Sequence, residues 1–180
     1  MGLEDQKMLT NSVSSKGICY AAALGSGVLL LGAFVFQILG YAPCAMCIWQ
    51  RYPHAVAIGA GVILLAGAPL LLVSVVGAVA ALTTSAIGVF HTGVERDWWE
   101  GPSSCTGTGL DLTKMSAAEL LPGAASGPVN LVMCDQVAWE FLSLSMASWN
   151  AMFSVILAGM WLLAGLAIRQ KPMVRGSQID

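Results

Sequence analysis

Charge is what this chain lacks most. Of 180 residues only 10% are Asp, Glu, Lys or Arg, 57% are hydrophobic, and the mean hydropathy is +0.75. A soluble domain carries roughly a quarter charged residues, so composition alone points to an integral membrane protein. A net charge of −2, with no Lys/Arg cluster and no RNA-type aromatic motif, excludes a nucleic-acid partner. Internal repeats and low-complexity tracts are also missing. So is a cleavable signal peptide: the segment up to Lys16 is polar, and the apolar run after it outlasts the roughly 7–15 residues of a signal core. That first run is expected to stay in the membrane.

What the chain does have is four apolar runs, at about 18–39, 48–66, 70–90 and 149–168. Each approaches the roughly 20 residues needed to cross about 30 Å of hydrocarbon. Backbone polar groups cannot be left unpaired in lipid, so each run is expected to be helical. The fold class is therefore an all-α membrane protein: a four-transmembrane-helix bundle forming one integral membrane domain over residues 1–180. Arg51 is the sole charge inside the runs. Five of the eight basic residues (Lys7, Lys16, Arg169, Lys171 and Arg175) lie in the two tails, whereas the segment 91–148 has two against seven acids. The positive-inside rule then places both termini in the cytoplasm. The loops 40–47 and 91–148 face outward, where disulfides persist.

Nearly all extramembrane mass falls in the long loop 91–148, between the third and fourth runs. Its Gly, Ser and Pro content argues against an independent domain. From Asp135 to Met146 apolar and polar residues mix in a way that predicts a short amphipathic segment in the headgroup layer. Trp98, Trp99, Trp139 and Trp149 are expected to join an outer aromatic belt.

The cysteines carry the chemistry. Cys44-Ala45-Met46-Cys47 sits where the second run begins, with Arg51 four residues beyond Cys47 and His54 seven. Cys47 is placed at the helix start, where free N–H groups and the helix dipole favour an anion, and Arg51 shares its helical face. A thiolate is the attacking species in disulfide exchange, so Cys47 is the better candidate for an ionised sulfur. Pro53 leaves open whether the helix starts nearer Gln50 or is kinked. A lone C-x-x-C can be half a zinc site, a structural disulfide or a redox pair. Zinc needs two further ligands; Cys105 and Cys134 stand 29 residues apart rather than in a close pair, and no metal is expected. Cys19, inside the first run, reads as a small buried hydrophobe.

These residues resemble the disulfide bond formation protein B (DsbB) family, quinone-dependent thiol oxidases of the bacterial inner membrane. The resemblance is carried by Pro43-Cys44-Ala45-Met46-Cys47-Ile48-Trp49-Gln50-Arg51 and His91-Thr92-Gly93-Val94-Glu95. Trp99-Glu100-Gly101-Pro102-Ser103-Ser104-Cys105, Cys134-Asp135-Gln136-Val137-Ala138-Trp139 and Leu144-Ser145-Met146-Ala147-Ser148-Trp149-Asn150 complete it. It implies an oxidoreductase in which a periplasmic DsbA-type dithiol protein attacks a Cys105–Cys134 disulfide. The loop pair is then reoxidised by Cys44–Cys47, and electrons pass to ubiquinone or menaquinone from the membrane quinone pool. Catalytic roles fall on Cys44, Cys47, Cys105 and Cys134, with quinone contacts from Cys47, Arg51 and His91. Glu95 reads as an exposed acid at the loop edge, with help in proton delivery as the alternative. Two other functions fit a four-span protein with outward cysteines: an outward transporter of reducing equivalents, and a non-enzymatic scaffold braced by disulfides.

Overall fold

The computed structural model describes residues 3–102 and 133–169, with side chains over 15–102 and 133–168. Cys105 and much of the segment 91–148 lie outside the described residues. The chain forms α1 (Leu3–Ile38), α2 (Ala45–Leu65), α3 (Leu70–Glu95) and α4 (Met146–Arg169). A small antiparallel ribbon of β1 (Glu140–Phe141) and β2 (Leu144–Ser145) precedes α4, with Glu140 opposite Ser145 and Phe141 opposite Leu144.

The helices close a ring in which α1 packs on α2, α2 on α3, α3 on α4 and α4 back on α1. Their shared faces are built from small residues. Ala22, Ala23, Ala60, Ala78, Ala81, Ala158 and Ala164 are buried around Cys19 and Trp161, as expected where close backbone approach, not water exclusion, holds helices together. Gly77 shows how tight this is: a Cβ there would stand 2.3 Å from the Trp161 ring. The large apolar side chains point the other way, with Leu24, Ile38 and Leu65 71%, 84% and 71% exposed. Such a surface needs lipid to cover it.

Three helical stretches, Ser15–Ile38, Leu70–Glu95 and Met146–Ile168, are long and apolar enough to cross a membrane. The stretch in α2 is more polar, because Gln50, Arg51, Pro53 and His54 crowd its first half.

Several boundaries differ from the sequence expectations. α1 starts at Leu3, and no Pro or Gly interrupts the chain from there to Gly17. α2 runs through Pro53 and begins at Ala45, so Cys47 lies in its first turn. α3 continues to Glu95, which puts His91 and Glu95 on a helix and not in a loop. The expected amphipathic stretch after Asp135 contains the two-strand ribbon, turned at Leu142 and Ser143, both with positive φ (53° and 59°). A turn of that hand matches the twist of paired strands. Arg96 donates to the Ser143 carbonyl and the Trp149 indole to that of Phe141, pinning the ribbon over the ends of α3 and α4.

Candidate redox site

The end of α1, the start of α2, the end of α3 and the start of α4 meet at one end of the bundle. Cys44 caps α2: its backbone is extended and its Sγ accepts the Cys47 N–H at 3.2 Å. The cap folds the C-x-x-C pair back on itself and brings the two sulfurs to 2.9 Å, with the Cys44 thiol donating to Cys47. That donated bond holds Cys47 below the ordinary thiol range in spite of burial, with a smaller contribution from the Arg51 guanidinium. The same bond, reinforced by burial, pushes Cys44 far up. Within one pair, Cys47 is thus shifted toward the thiolate and Cys44 toward the thiol.

Cys134 joins this pair. Fully buried, it packs in one cluster with Cys44, Met46 and Val94, edged by Ala45 and Cys47. His91, one turn before the end of α3, hydrogen-bonds the backbone of Cys134 and stands 3.5 Å from Cys44 Sγ through Nε2. The helix therefore ties the cysteine after the long loop to the cysteine before α2. Of the four cysteines marked in the sequence, the structure gathers Cys44, Cys47 and Cys134; Cys105 falls outside the described residues. Cys19 sits apart in the core, 3.5 Å from Ser74 Oγ.

Arg51 follows Cys47 by one turn, as its spacing required. Its Nη1 donates to Gln37 Oε1 at 2.7 Å and Nη2 to the Ala33 carbonyl at 3.4 Å, and its Cζ lies 4.8 Å from the centre of the Phe34 ring. All three contacts are on α1. Its Nε is buried with no partner among the described residues.

Cys47, Arg51 and His91 open on a cavity of about 480 Å³, within the range of small-molecule sites. One wall is α1 from Val28 to Phe36, and the facing wall is the α4 start with Trp149, Asn150 and Phe153. Aromatic rings line it in sequence: Phe36 to Trp139 at 5.0 Å, Trp139 to Phe141 at 6.2 Å, Phe141 to Trp149 at 6.4 Å and Trp149 to Phe153 at 5.7 Å. Trp139 and Trp149 are thus cavity residues, while Trp98 is 65% exposed.

Below the sulfurs lies a buried polar chain that sequence spacing did not reveal. Asn150 Nδ2 donates to Gln50 Oε1 at 2.7 Å and to Thr84 Oγ1 at 3.1 Å, and Asn150 Oδ1 stands 2.8 Å from His54 Nε2. Gln50 Nε2 reaches the Met46 carbonyl at 3.3 Å and His91 Nδ1 at 3.0 Å. The Met46 carbonyl settles the amide's orientation, because it requires a donor. Gln50 Nε2 consequently donates to His91 Nδ1, and the imidazole proton sits on Nε2. His91 presents an N–H to Cys44 and to the Cys134 backbone. Cys44, Cys47 and His91 each bring one ligand-type atom within 4.8 Å of the others. The local signals for the chain were Gln50 and Asn150 inside the motifs quoted above, His54 seven residues after Cys47, and Thr84 within Thr83-Thr84-Ser85 of an otherwise apolar run.

Fold and site define a class: a helical membrane protein with a buried thiol pair at the head of an apolar, aromatic-walled cavity. Comparison narrows it. The model of the family described as disulfide bond formation protein DsbB matches residues 15–164, and the chain belongs to that family. It is 31% identical over 161 residues to disulfide bond formation protein B of Azoarcus sp. (strain BH72), covering 83% of this chain and 90% of the relative. It is 30% identical over 148 residues to the protein of that name from Polaromonas sp. (strain JS666 / ATCC BAA-500), covering 78% and 84%. No solved structure matches the chain. Membership makes this a membrane protein of disulfide bond formation, with redox chemistry at thiols.

Proposed function

We propose that the protein is a thiol:quinone oxidoreductase that reoxidises a periplasmic DsbA-type dithiol protein. The supporting observation is the meeting of Cys134 with Cys44 beside Cys47, whose pKa is lowered and which opens on the cavity. In this reading all four helices span the inner membrane, both termini are cytoplasmic, and the cysteine-bearing end is periplasmic.

The partner's thiolate attacks Cys105 of a Cys105–Cys134 disulfide. The reduced loop pair then attacks the Cys44–Cys47 disulfide at Cys44, forming a bond from the loop sulfur to Cys44 and releasing Cys47 as thiolate. Its leaving is favoured by the helix N-terminus and Arg51. The His91 N–H steadies Cys44 while its sulfur changes partner.

The cavity suits a quinone, ubiquinone or menaquinone. Its rings can stack on a flat head group, and the unpartnered Arg51 Nε is a donor with nothing to bond. Arg51, Cys47 and His91 would hold the head group, and α1 and α4 would flank an isoprenoid tail. A bound quinone supplies a two-electron, two-proton acceptor.

Purified protein should reduce quinone when a DsbA-type dithiol is supplied and not otherwise, and Cys47→Ser should abolish that turnover. Quinone reduction that persists at the normal rate in the Cys47→Ser protein would overturn the reading.

A further inference from the structure

We propose that Glu95 is the proton carrier of this site: it takes up the proton that Cys47 gives up and supplies it to the acceptor in the cavity. The inference rests on the thiol:quinone reading above and adds to it the route by which protons enter an apolar slot.

The problem is one of balance. Oxidising the reduced pair must deliver two electrons and two protons, yet the pair is arranged around one: the Cys44 thiol donates to the Cys47 sulfur, and that bond lowers the Cys47 pKa. A second proton must come from another group lining the cavity. Arg51 never releases one. Tyr41 stands at the rim, 38% exposed. His54 gives its Nε2–H to Asn150, and its Nδ1 is buried without a partner. A second proton there would be an isolated buried cation. His91 is closed on both sides: Gln50 fills Nδ1, and loss of the Nε2 proton would leave an imidazolate.

Glu95 remains, and its position fits the task. It was expected as an exposed loop-edge acid, but its side chain is only 6% exposed on the last turn of α3. Its Oε1 lies 3.8 Å from His91 Nε2, and Oε2 is buried with no partner among the described residues. Glu95 lines the sulfur cavity on one side and a second pocket on the other, formed with Arg96, Val137, Glu140, Ser143 and Ser145. Arg96, Val137, Glu140 and Ser143 are exposed, so that pocket opens to water. Among the described residues no other lines both. The groups facing Glu95 are Cys44, Cys47 and Arg51 from α2, His91 and Arg96 from its own helix, and Glu140 from β1; Ser145 of β2 hydrogen-bonds it.

The cycle then balances. Reduction of the Cys44–Cys47 disulfide by a dithiol gives Cys44–SH and the Cys47 thiolate, and the remaining proton goes to the Glu95 carboxylate. Reoxidation forms the S–S bond, sends two electrons to the acceptor with one proton from Cys44 and one from Glu95, and leaves Glu95 ionised. The total charge of the three groups is −1 before and after.

Two measurements test this. In quinone-free protein, reduction by a small dithiol should bring up the infrared carbonyl band of a protonated carboxylic acid, and Glu95→Gln should remove it. With quinone and a DsbA-type dithiol, Glu95→Gln should slow turnover about a hundredfold, and Glu95→Asp should recover a substantial part. An unchanged turnover in Glu95→Gln, or a band that survives that substitution or never forms in the wild type, overturns the proposal. A wild-type protein that shows the Glu95 band yet reduces no quinone supports Glu95 as carrier and overturns the functional reading instead.

Discussion

Cys19 and Cys44 are both buried, 0% and 4% exposed, and they show how one bundle handles the same side chain in two ways. Around Cys19 the helices touch through alanine and glycine, and the thiol meets one hydroxyl, that of Ser74. Around Cys44 the packing is looser and polar: a second thiol, an imidazole, a third cysteine and a cavity all adjoin it. The first environment fixes helices against each other. The second keeps sulfurs within exchange distance and shifts one of them toward the thiolate. Burial by itself therefore says little about a cysteine; the donors around it decide its chemistry.

Substitutions can separate the two regions. The largest structural effect is expected at Trp161, which is fully buried where Gly77 lets α3 and α4 approach. Trp161→Ala should cost about 3 kcal/mol or more, seen as a lower unfolding midpoint in detergent, while alkylation of Cys47 in the folded protein stays the same. An intermediate effect is expected at Gln50. Gln50→Leu strands the Asn150 amide and frees His91 Nδ1, costing about 1–3 kcal/mol. It should also abolish the single imidazole tautomer, which a nitrogen NMR spectrum of labelled His91 would report; a spectrum unmoved by the change would remove Gln50 from that role. The smallest is expected at Cys19. Cys19→Ala should shift stability by about 1 kcal/mol at most and leave dithiol-dependent turnover unaltered, and a large loss of turnover would break the contrast drawn here.

Much of the first region was legible in the sequence. Long apolar runs without charge announce helices, and Cys19 among alanines announced a core position. The pairing of Cys47 with Arg51 was legible from their four-residue spacing, although Pro53 left the start of α2 open. What escaped depends on contacts across the ring. Gln50 and Asn150 are 100 residues apart and meet only because α2 and α4 present polar faces to a common interior. Glu95 reads as a loop acid because the apolar run ends before it, yet α3 continues and the ribbon folds over its last turn. The ribbon itself turns on Leu142 and Ser143 at positive φ, a conformation that side chains of this kind rarely announce. Cys134 next to Cys44 is likewise a product of tertiary packing.

Cys47, unlike its neighbour Cys44, has a thiol pKa held below the ordinary range. Its folded pKa lies below its unfolded value, so its charge stabilises the fold above the ordinary thiol range, near pH 8.5, and that contribution is lost as pH falls through the folded value. The direct measurement is the rate of alkylation at each cysteine against pH in the reduced, quinone-free protein, resolved by mass spectrometry. The account predicts that Cys47 still reacts well below pH 8.5 while Cys44 and Cys19 stay inert. If Cys47 instead slows at the pH of an ordinary thiol, or Cys44 proves the faster of the two, the account is contradicted.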